Sequence, residues 1–430
     1  MQIGEFSIEP IPVTHSIADA VALAITTSIG TVIHTGDFKL DPTPIDGRLT
    51  DLKRFRELGD RGVIALLSDS TNAEKPGRTW SELSVANAMR EHIGKAPNRV
   101  CVTTFSSNIH RVQSIIDASY AVGRTVIPVG RSVVQNIQMS LERGFLKVER
   151  GALAEPSYYD NIPRSHVTVI ASGSQGEAQA SMTRIAKATH PYIRLDPEDR
   201  VIWSSRRIPG NELAIGSVTG NLLRAGIELL DDRVPHVHTS GHAFADELGD
   251  IISAVRPRFF VPVHGELRHM RAHAKIAEGL GVEPANIFIV EDGQPLVITD
   301  TPQGSLMRRD EPVHTGHIFI EGDGLNRVDE VVLRDRNILA ETGIVVVVAV
   351  VDDIGALVSG PEIATRGVIH VDANAGMMNA LRDEVTAALD TGELERGDDA
   401  LAEDMRLAVR RFFRRELGKK PIVVPLVMRV

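Results

Sequence analysis

The stretch Asn98–Gly130, NRVCVTTFSSNIHRVQSIIDASYAVGRTVIPVG, decides the fold class. Two apolar, β-branched runs, NRVCVTTF and TVIPVG, flank a helical stretch that begins near Ser107. The alternation continues downstream: VTVIAS and RVIWSS read as strands, and further helical stretches begin near Ser132, Glu177 and Asn211. Strands alternating with helices imply a mostly parallel sheet with helices on its faces. The strand ends are polar, at Ser106-Ser107-Asn108, Gly130-Arg131-Ser132, Ser172–Gly176 and Ser205-Arg206-Arg207. Gly and Ser before a helix N-terminus expose backbone N–H groups, which suits several of these turns to cradling a phosphate.

Outward from this block the style changes. Residues 1–70 hold short strands that also end on polar residues, in FSIEPIPVTH, AVALAITT, IGTVIHTGDF and GVIALLSDS. Residues 235–300 return to that style, with VPHVHTSGHA, a helix, RFFVPVHGE, another helix and NIFIVEDGQPLVIT. Polar residues at the carboxyl ends of apolar strands are where layered α/β folds place a site. Residues 301–330 read as a connector. The last hundred residues form a small α/β domain, with strands expected near 329–334, 343–351 and 366–371, helices near 374–390 and 400–417, and a terminal strand PIVVPLVMRV. Its basic run RRFFRRELGKK at 410–420 reads as a solvated helix face or an oligomer contact, with RNA contact as the alternative.

The bulk numbers narrow the class. At 430 residues the chain has room for two or three domains, and 43% hydrophobic content with mean hydropathy of −0.03 describes a globular protein. The longest apolar run, GIVVVVAVV, is too short for a bilayer and reads as a buried strand. No membrane role or secretory leader is expected, and the compartment expected is the cytoplasm. The lone Cys101 forms no intrachain disulfide and excludes a thiolate zinc site. A net charge of −10 argues weakly against nonspecific nucleic-acid binding over the whole surface and leaves room for a basic groove.

Three residues close strands where a metal would want them: His15 in PVTHSIAD, Asp37 in IHTGDFK and His264 in VPVHGE. Imidazole nitrogens and a carboxylate are the usual ligands of a catalytic Zn²⁺ or Mn²⁺, and a carboxylate can bridge two ions roughly 3.5–4 Å apart. The combination, not any one residue, carries the reading. His242, in HVHTSGHA, is the fourth: a Ser-Gly-His turn before a helix offers a hydroxyl, backbone amides and an imidazole to one anion. His236 reads as incidental, and His34 as structural.

The motifs PVTHSIAD, HTGDFK, LLSDSTNAE, SSNIHRVQ, GSQGE, SSRRIPGNE, HTSGHA and PVHGE occur in the order and setting of ribonuclease J, the bacterial β-CASP branch of the metallo-β-lactamase nucleases, which the whole chain resembles. The resemblance implies an α/β fold: a metallo-β-lactamase αββα sandwich, N-terminally incomplete, interrupted by a β-CASP domain with a mostly parallel sheet and followed by a small α/β C-terminal domain. The implied boundaries are 1–80 and 236–322 for the two parts of the sandwich, 81–235 for the insert, 323–340 for a linker and 341–430 for the C-terminal domain. It implies a ribonuclease with 5′→3′ exonuclease and endonuclease activities, acting in mRNA decay and rRNA maturation with two Zn²⁺ per subunit, Mn²⁺ or Mg²⁺ being the alternatives. Carried over by motif, His15, Asp37 and His264 are metal ligands, Asp37 the bridging one. His242 is the catalytic histidine on the phosphate side, and Asp69 has an orienting role. His238, Thr239, Ser240, Gly241 and His242 clamp the substrate phosphate, while Ser106, Ser107, Asn108 and Arg206 hold the RNA backbone. The partners implied are single-stranded RNA with a 5′ monophosphate, further copies in a homodimer or homotetramer, and other members of an RNA-degradation assembly.

One departure is large: the family's His-x-His-x-Asp-His motif occurs nowhere in the sequence. His236–His242 and His314–His317 resemble it superficially and lack its acidic member. The chain is therefore expected to start downstream of that motif, as a shortened gene product or a mis-placed start, and to bind metal and turn over RNA poorly. A non-catalytic RNA-binding or assembly subunit and a β-CASP nuclease acting on DNA are the competing expectations. A lactamase or thioesterase fails, since those enzymes carry no β-CASP insert.

Overall fold

A computed structural model of the chain describes residues 1–302, 304–321, 326–391 and 396–430. The chain forms two compact units, Met1–His314 and Thr315–Val430.

The first unit contains a six-stranded mixed sheet. Strands Gln2–Ile3, Phe6–Pro12, Val21–Thr26 and Thr31–His34 run antiparallel to one another, and Val63–Asp69 then pairs in parallel with Thr31–His34 on one side and with Phe259–Val263 on the other. Helices Leu52–Arg61, Ala245–Val255 and Leu267–Gly279 bring Phe55, Leu58, Leu248, Ile251, Ile252 and Ala277 into one core with Ile11, Ala22, Ala24, Ile33 and Leu66 of the strands. A second cluster, including Ala65, Phe259, Val261 and Met307, is closed by the hairpin Leu296–Thr299/Leu306–Arg309. Between the paired strands Val63–Asp69 and Phe259–Val263 the chain runs out into a five-stranded sheet. Its order is Glu228–Leu230, Arg200–Trp203, Val100–Thr103, Val167–Ala171 and Thr125–Val129, and all four pairings are parallel. Its inner strands Val100–Thr103 and Val167–Ala171 are buried on both faces by helices such as Ile109–Tyr120, which Asn108 starts by accepting a hydrogen bond from the Arg111 amide at 3.0 Å. The mostly parallel insert inferred from the alternation is therefore present.

In the second unit, Ile344–Val351 sits between Leu357–Arg366 and Ile422–Arg429, and helices Ala375–Leu389 and Asp398–Leu417 pack on the face carrying Val345, Val347, Ala349 and Val351. Within the basic run, Phe412 and Phe413 are buried while Arg410, Arg411, Arg414 and Arg415 are exposed.

Several local expectations are corrected. Residues 329–334 are not a strand: Asp329 caps the helix Glu330–Thr342 by accepting from the Val331 amide at 3.2 Å, and that helix also covers most of the expected linker. The strand expected at 366–371 instead ends at Arg366, where Gly367 takes φ of 71°. The helix expected near Glu177 starts at Ser181, NIFIVEDGQPLVIT yields only the strand Leu296–Thr299, and no strand precedes His238, because His236 leaves the extended region with φ of 62°. The expected boundary at 322/323 lies outside the described residues.

His273 tests how the first core is built. Its Nδ1 lies 3.0 Å from Ser70 Oγ, its ring meets Phe260 edge-on with centroids 4.8 Å apart, and its Nε2 has no hydrogen-bond partner. Burial pushes its pKa down to about 3, so the fold holds it neutral. Because the folded value lies below the unfolded value of about 6.5, this contribution is intact above that pH and is lost as pH falls toward about 3, at up to ~1.4 kcal/mol per pH unit. Urea unfolding at about pH 5 and about pH 7.5 should show His273→Leu losing less stability on acidification than the wild type. Equal losses would contradict this account.

Candidate metal centre

The register of one strand pair sets the centre. Val263 lies opposite Asp69 in the parallel pairing, so Asp69 and the next residue on the other strand, His264, emerge side by side at the carboxyl ends. His264 takes φ of 54°, a conformation a non-glycine residue adopts at a cost and one that gathers at functional sites. Asp37 comes from the turn after Thr31–His34. His15 follows Phe6–Pro12, and its position is fixed by the bridge between Thr14 and Lys39, with Thr14 Oγ1 donating to the Lys39 carbonyl at 2.5 Å. His242 arrives on the chain returning from the insert, where the Ala243 amide donates to the Phe38 carbonyl at 2.7 Å.

Asp37, Asp69, His242 and His264 each offer a ligand atom, all within 4.8 Å of one another. Asp69 is their hub. Its Oδ2 accepts from His242 Nδ1 at 2.6 Å, and its Oδ1 accepts from the Thr71 amide and hydroxyl at 3.0 and 2.7 Å and lies 3.2 Å from His264 Nδ1. Burial favours the neutral carboxyl, but the hydrogen bonds from His242 and His264 outweigh it and hold Asp69 far below the usual carboxylate range. The bond with Asp69 in turn raises the pKa of His264, whose Nδ1 is also 3.4 Å from Asp37 Oδ1.

His15 stands just outside that group. Its Nδ1 is 2.7 Å from the Gly241 carbonyl, which can only accept, so Nδ1 carries the proton and Nε2 keeps its lone pair, 3.8 Å from Asp37 Oδ2. Burial lowers its pKa, so the ring is neutral. An imidazole held in one tautomer by a backbone carbonyl is how metal-binding histidines are oriented. Carboxylate oxygens and imidazole nitrogens suit Zn²⁺ or Mn²⁺, so the residues present fit a metal cofactor. Cys101 takes no part: it is buried in the sheet of the insert, and burial pushes its thiol up to about 12.

The centre opens on a cleft of about 420 Å³. Asn108, Arg206, His238, Thr239, Ser240, Gly241, His242 and His264 line it, while Ser106 and Ser107 do not. His238 is kept neutral by burial and by the nearby Arg111, Lys39, Lys75 and Arg206. His34 lies outside the cluster and accepts from the Gly36 amide at 3.0 Å. The sequence reading missed Asn72, which ties the two sides of the cleft. Its Nδ2 donates to Ser240 Oγ at 2.8 Å and to the His242 carbonyl at 3.0 Å, and its Oδ1 accepts from Arg206 at 2.5 Å. It missed Thr71 as well. The one available signal was their place directly after Asp69 at a strand end.

Gly241 is required by close approach, not by its backbone angles. A Cβ there would stand 2.8 Å from His15 Cε1 and 2.9 Å from its Nδ1. Gly241→Ala should therefore displace His15 and lower metal affinity roughly tenfold or more, the usual cost of losing an orienting contact, with little change in the unfolding midpoint. Metal titration by calorimetry checks this, and unchanged affinity would refute the role given to the Gly241 carbonyl.

Known proteins match this chain along nearly all of its length. Residues 97–222 match the family "Ribonuclease J, beta-CASP domain", residues 231–289 match "Zn-dependent metallo-hydrolase RNA specificity domain", and residues 331–430 match "Ribonuclease J C-terminal domain". The chain is 35% identical to ribonuclease J2 of Bacillus subtilis, an alignment covering 97% of this chain and 75% of the relative. It is 37% identical to ribonuclease J of Thermus thermophilus over 100% of this chain and 73% of that protein. Ribonuclease J 1 of Streptococcus pyogenes is 36% identical, with 96% and 74% covered. With such identity along nearly its full length, the chain belongs to the ribonuclease J family.

Proposed function

We propose that this metal-dependent ribonuclease hydrolyses RNA phosphodiesters at the cluster of Asp37, Asp69, His242 and His264, with two ions and both 5′→3′ exonuclease and endonuclease modes. The observation that carries the reading is the clustering of these four side chains, with His15 beside them, at a cleft that His242 and His264 line together with the rest of the HTSGH segment. Asp37, His15 and His264 would hold the metal, with Zn²⁺ the ion of choice. A divalent cation there supplies a Lewis acid for the phosphate and lowers the pKa of water. Asp69 holds His242 through Nδ1 and leaves Nε2 to exchange a proton with the leaving oxygen. Ser240, His238 and the backbone of Gly241 face the same cleft and serve the phosphate, while Asn108 and Arg206 hold the strand beyond it. Ser106 and Ser107 sit outside the cleft lining and would meet the RNA backbone away from the metal cluster.

The family resemblance supports a preference for single-stranded RNA with a 5′ monophosphate, self-association as a dimer or tetramer within an RNA-degradation assembly, and a cytoplasmic setting. Among the described residues no helix is long and apolar enough to cross a membrane. A second reading, RNA binding with little turnover, is favoured by one observation: the 430 residues contain no His-x-His-x-Asp-His, which leaves few ligands for two ions.

Both readings are tested on the purified chain with 5′-monophosphorylated RNA and an all-deoxy strand of the same sequence. The ribonuclease reading expects metal-stimulated cleavage of the RNA alone, reduced roughly 10²-fold or more by His242→Ala with RNA affinity retained. Weak metal retention predicts fewer than two bound ions per chain after dialysis, and two tightly retained ions with full turnover would refute it. Cleavage untouched by His242→Ala would remove that residue from the chemistry.

A further inference from the structure

Beside the metal cleft lies a second pocket of about 360 Å³ that shares a wall with it. His238, Thr239, Ser240 and Arg206 border both, but Asp37, Asp69, His242 and His264 do not line the second one. Its remaining lining includes Lys75, Trp80 and Phe244. Two of its cations are in an uncomfortable state. Burial, then repulsion from Arg206, lowers the Lys75 ammonium to about 8, and Lys75 rests over the Phe244 ring at 5.0 Å. Burial, then repulsion from Arg268, likewise lowers the pKa of Arg206. Among the described residues neither forms an ion pair, and the one carboxylate on the lining, Asp232, lies 3.6 Å from Arg207. By contrast Arg78 and Arg207, on the same lining, already have Asp250 and Asp231 as partners. Two half-buried cations that repel each other and have no counter-charge form a site that an anion would relieve.

The pocket also offers a flat surface. Trp80 is 51% exposed, and its backbone is held because its carbonyl accepts from Thr239 Oγ1 at 2.8 Å and from Lys39 Nζ at 3.3 Å. His236 backs the indole with ring centroids 4.3 Å apart, and it does so from a left-handed backbone conformation, φ 62°, with a buried Nδ1 that has no partner. Strain of this kind persists only where the surroundings impose it. A fixed aromatic face beside an unneutralised pair of cations matches a base and its phosphate.

We propose that this pocket is a second nucleotide site, which binds a nucleoside monophosphate with its phosphate on Lys75 and Arg206 and its base stacked on Trp80. The identity of the ligand rests on the ribonuclease reading, since a nucleoside monophosphate is the chemical unit of RNA. The pocket itself rests on Lys75, Arg206 and Trp80. Residues His238–Ser240 then have two faces, one toward the metal cleft and one toward a separate nucleotide.

The test uses tryptophan emission of the full chain. The protein has two tryptophans, and Trp203 is buried with 2% exposure, so a ligand in this pocket acts on the signal of Trp80. Titration with uridine or adenosine monophosphate should give saturable quenching that Trp80→Phe abolishes. Lys75→Ala should weaken binding roughly tenfold, Lys75→Arg should largely restore it, and inorganic phosphate should compete without quenching. Affinity should also fall as pH rises through about 8. Absence of saturable quenching, an unchanged midpoint in Lys75→Ala, or quenching that survives Trp80→Phe would overturn the proposal. Quenching that persists in His242→Ala separates the two conclusions: a chain that binds the nucleotide but cleaves no RNA defeats the ribonuclease reading alone, and one that cleaves RNA without quenching defeats the pocket alone.

Discussion

The parallel pairing of Val63–Asp69 with Phe259–Val263 is the constraint on which the centre depends. Parallel neighbours cannot be joined by a tight turn, so the connection must cross over. Here the crossover has grown to contain a whole parallel sheet, and the chain then returns through the helix Ala245–Val255 to the strand it must join. A slip of one residue would exchange the core and outer faces of a strand, and with this register the turn at His264, φ 54°, brings its ring beside Asp69. The register Val263 to Asp69 therefore sets Asp69 and His264 at the same end of the sheet as well as closing the core.

Buried charge fastens the returning chain. Glu247, fully buried, accepts from the Leu40 amide at 2.8 Å, the Thr79 amide at 2.7 Å, the Thr79 hydroxyl at 2.9 Å and the Phe244 amide at 3.0 Å. It thereby joins the segment after Asp37 to the segment that presents His242. Arg111 from the insert grips Glu82 with two bonds of 2.9 Å and reaches Ser204 Oγ at 2.6 Å and His238 Nδ1 at 3.4 Å. Buried ions of this kind add little net stability, but removing one partner leaves an uncompensated charge at a cost of about 3–5 kcal/mol. Their value here is positional, since they fix which loops meet at the cleft.

The parallel sheet of the insert was legible because each strand is a short β-branched run ending in polar residues, and each helix follows at once. The residues proposed to hold the metal were legible for the same reason: His15, Asp37 and His264 each close an apolar run, and their motifs resemble those of one family. The errors came where local pattern and local chemistry disagreed. Val331-Val332-Leu333 has the composition of a strand, yet Asp329 beside it is a helix cap and prevails. Val234 and Val237 suggest extended chain, but His236 turns out of it. Glu247 and Arg111 were not legible at all, and Asn72 only by its place after Asp69. Their partners lie far away in sequence, as with Glu247 and Leu40, and nothing in a polar residue on a helix or in a turn announces which distant amide it will meet. Asp69, read as an orienting group, is the most connected side chain of the cluster.

The order of these elements along the chain has a consequence for synthesis. His15, Asp37 and Asp69 leave the ribosome long before His242 and His264, and the strand that brings Asp69 to its neighbour is made only after the entire five-stranded insert. Contacts so distant in sequence are the last to form. A nascent chain therefore holds half a centre, and the messenger that encodes it is read past residue 264 before the enzyme it specifies can cut RNA.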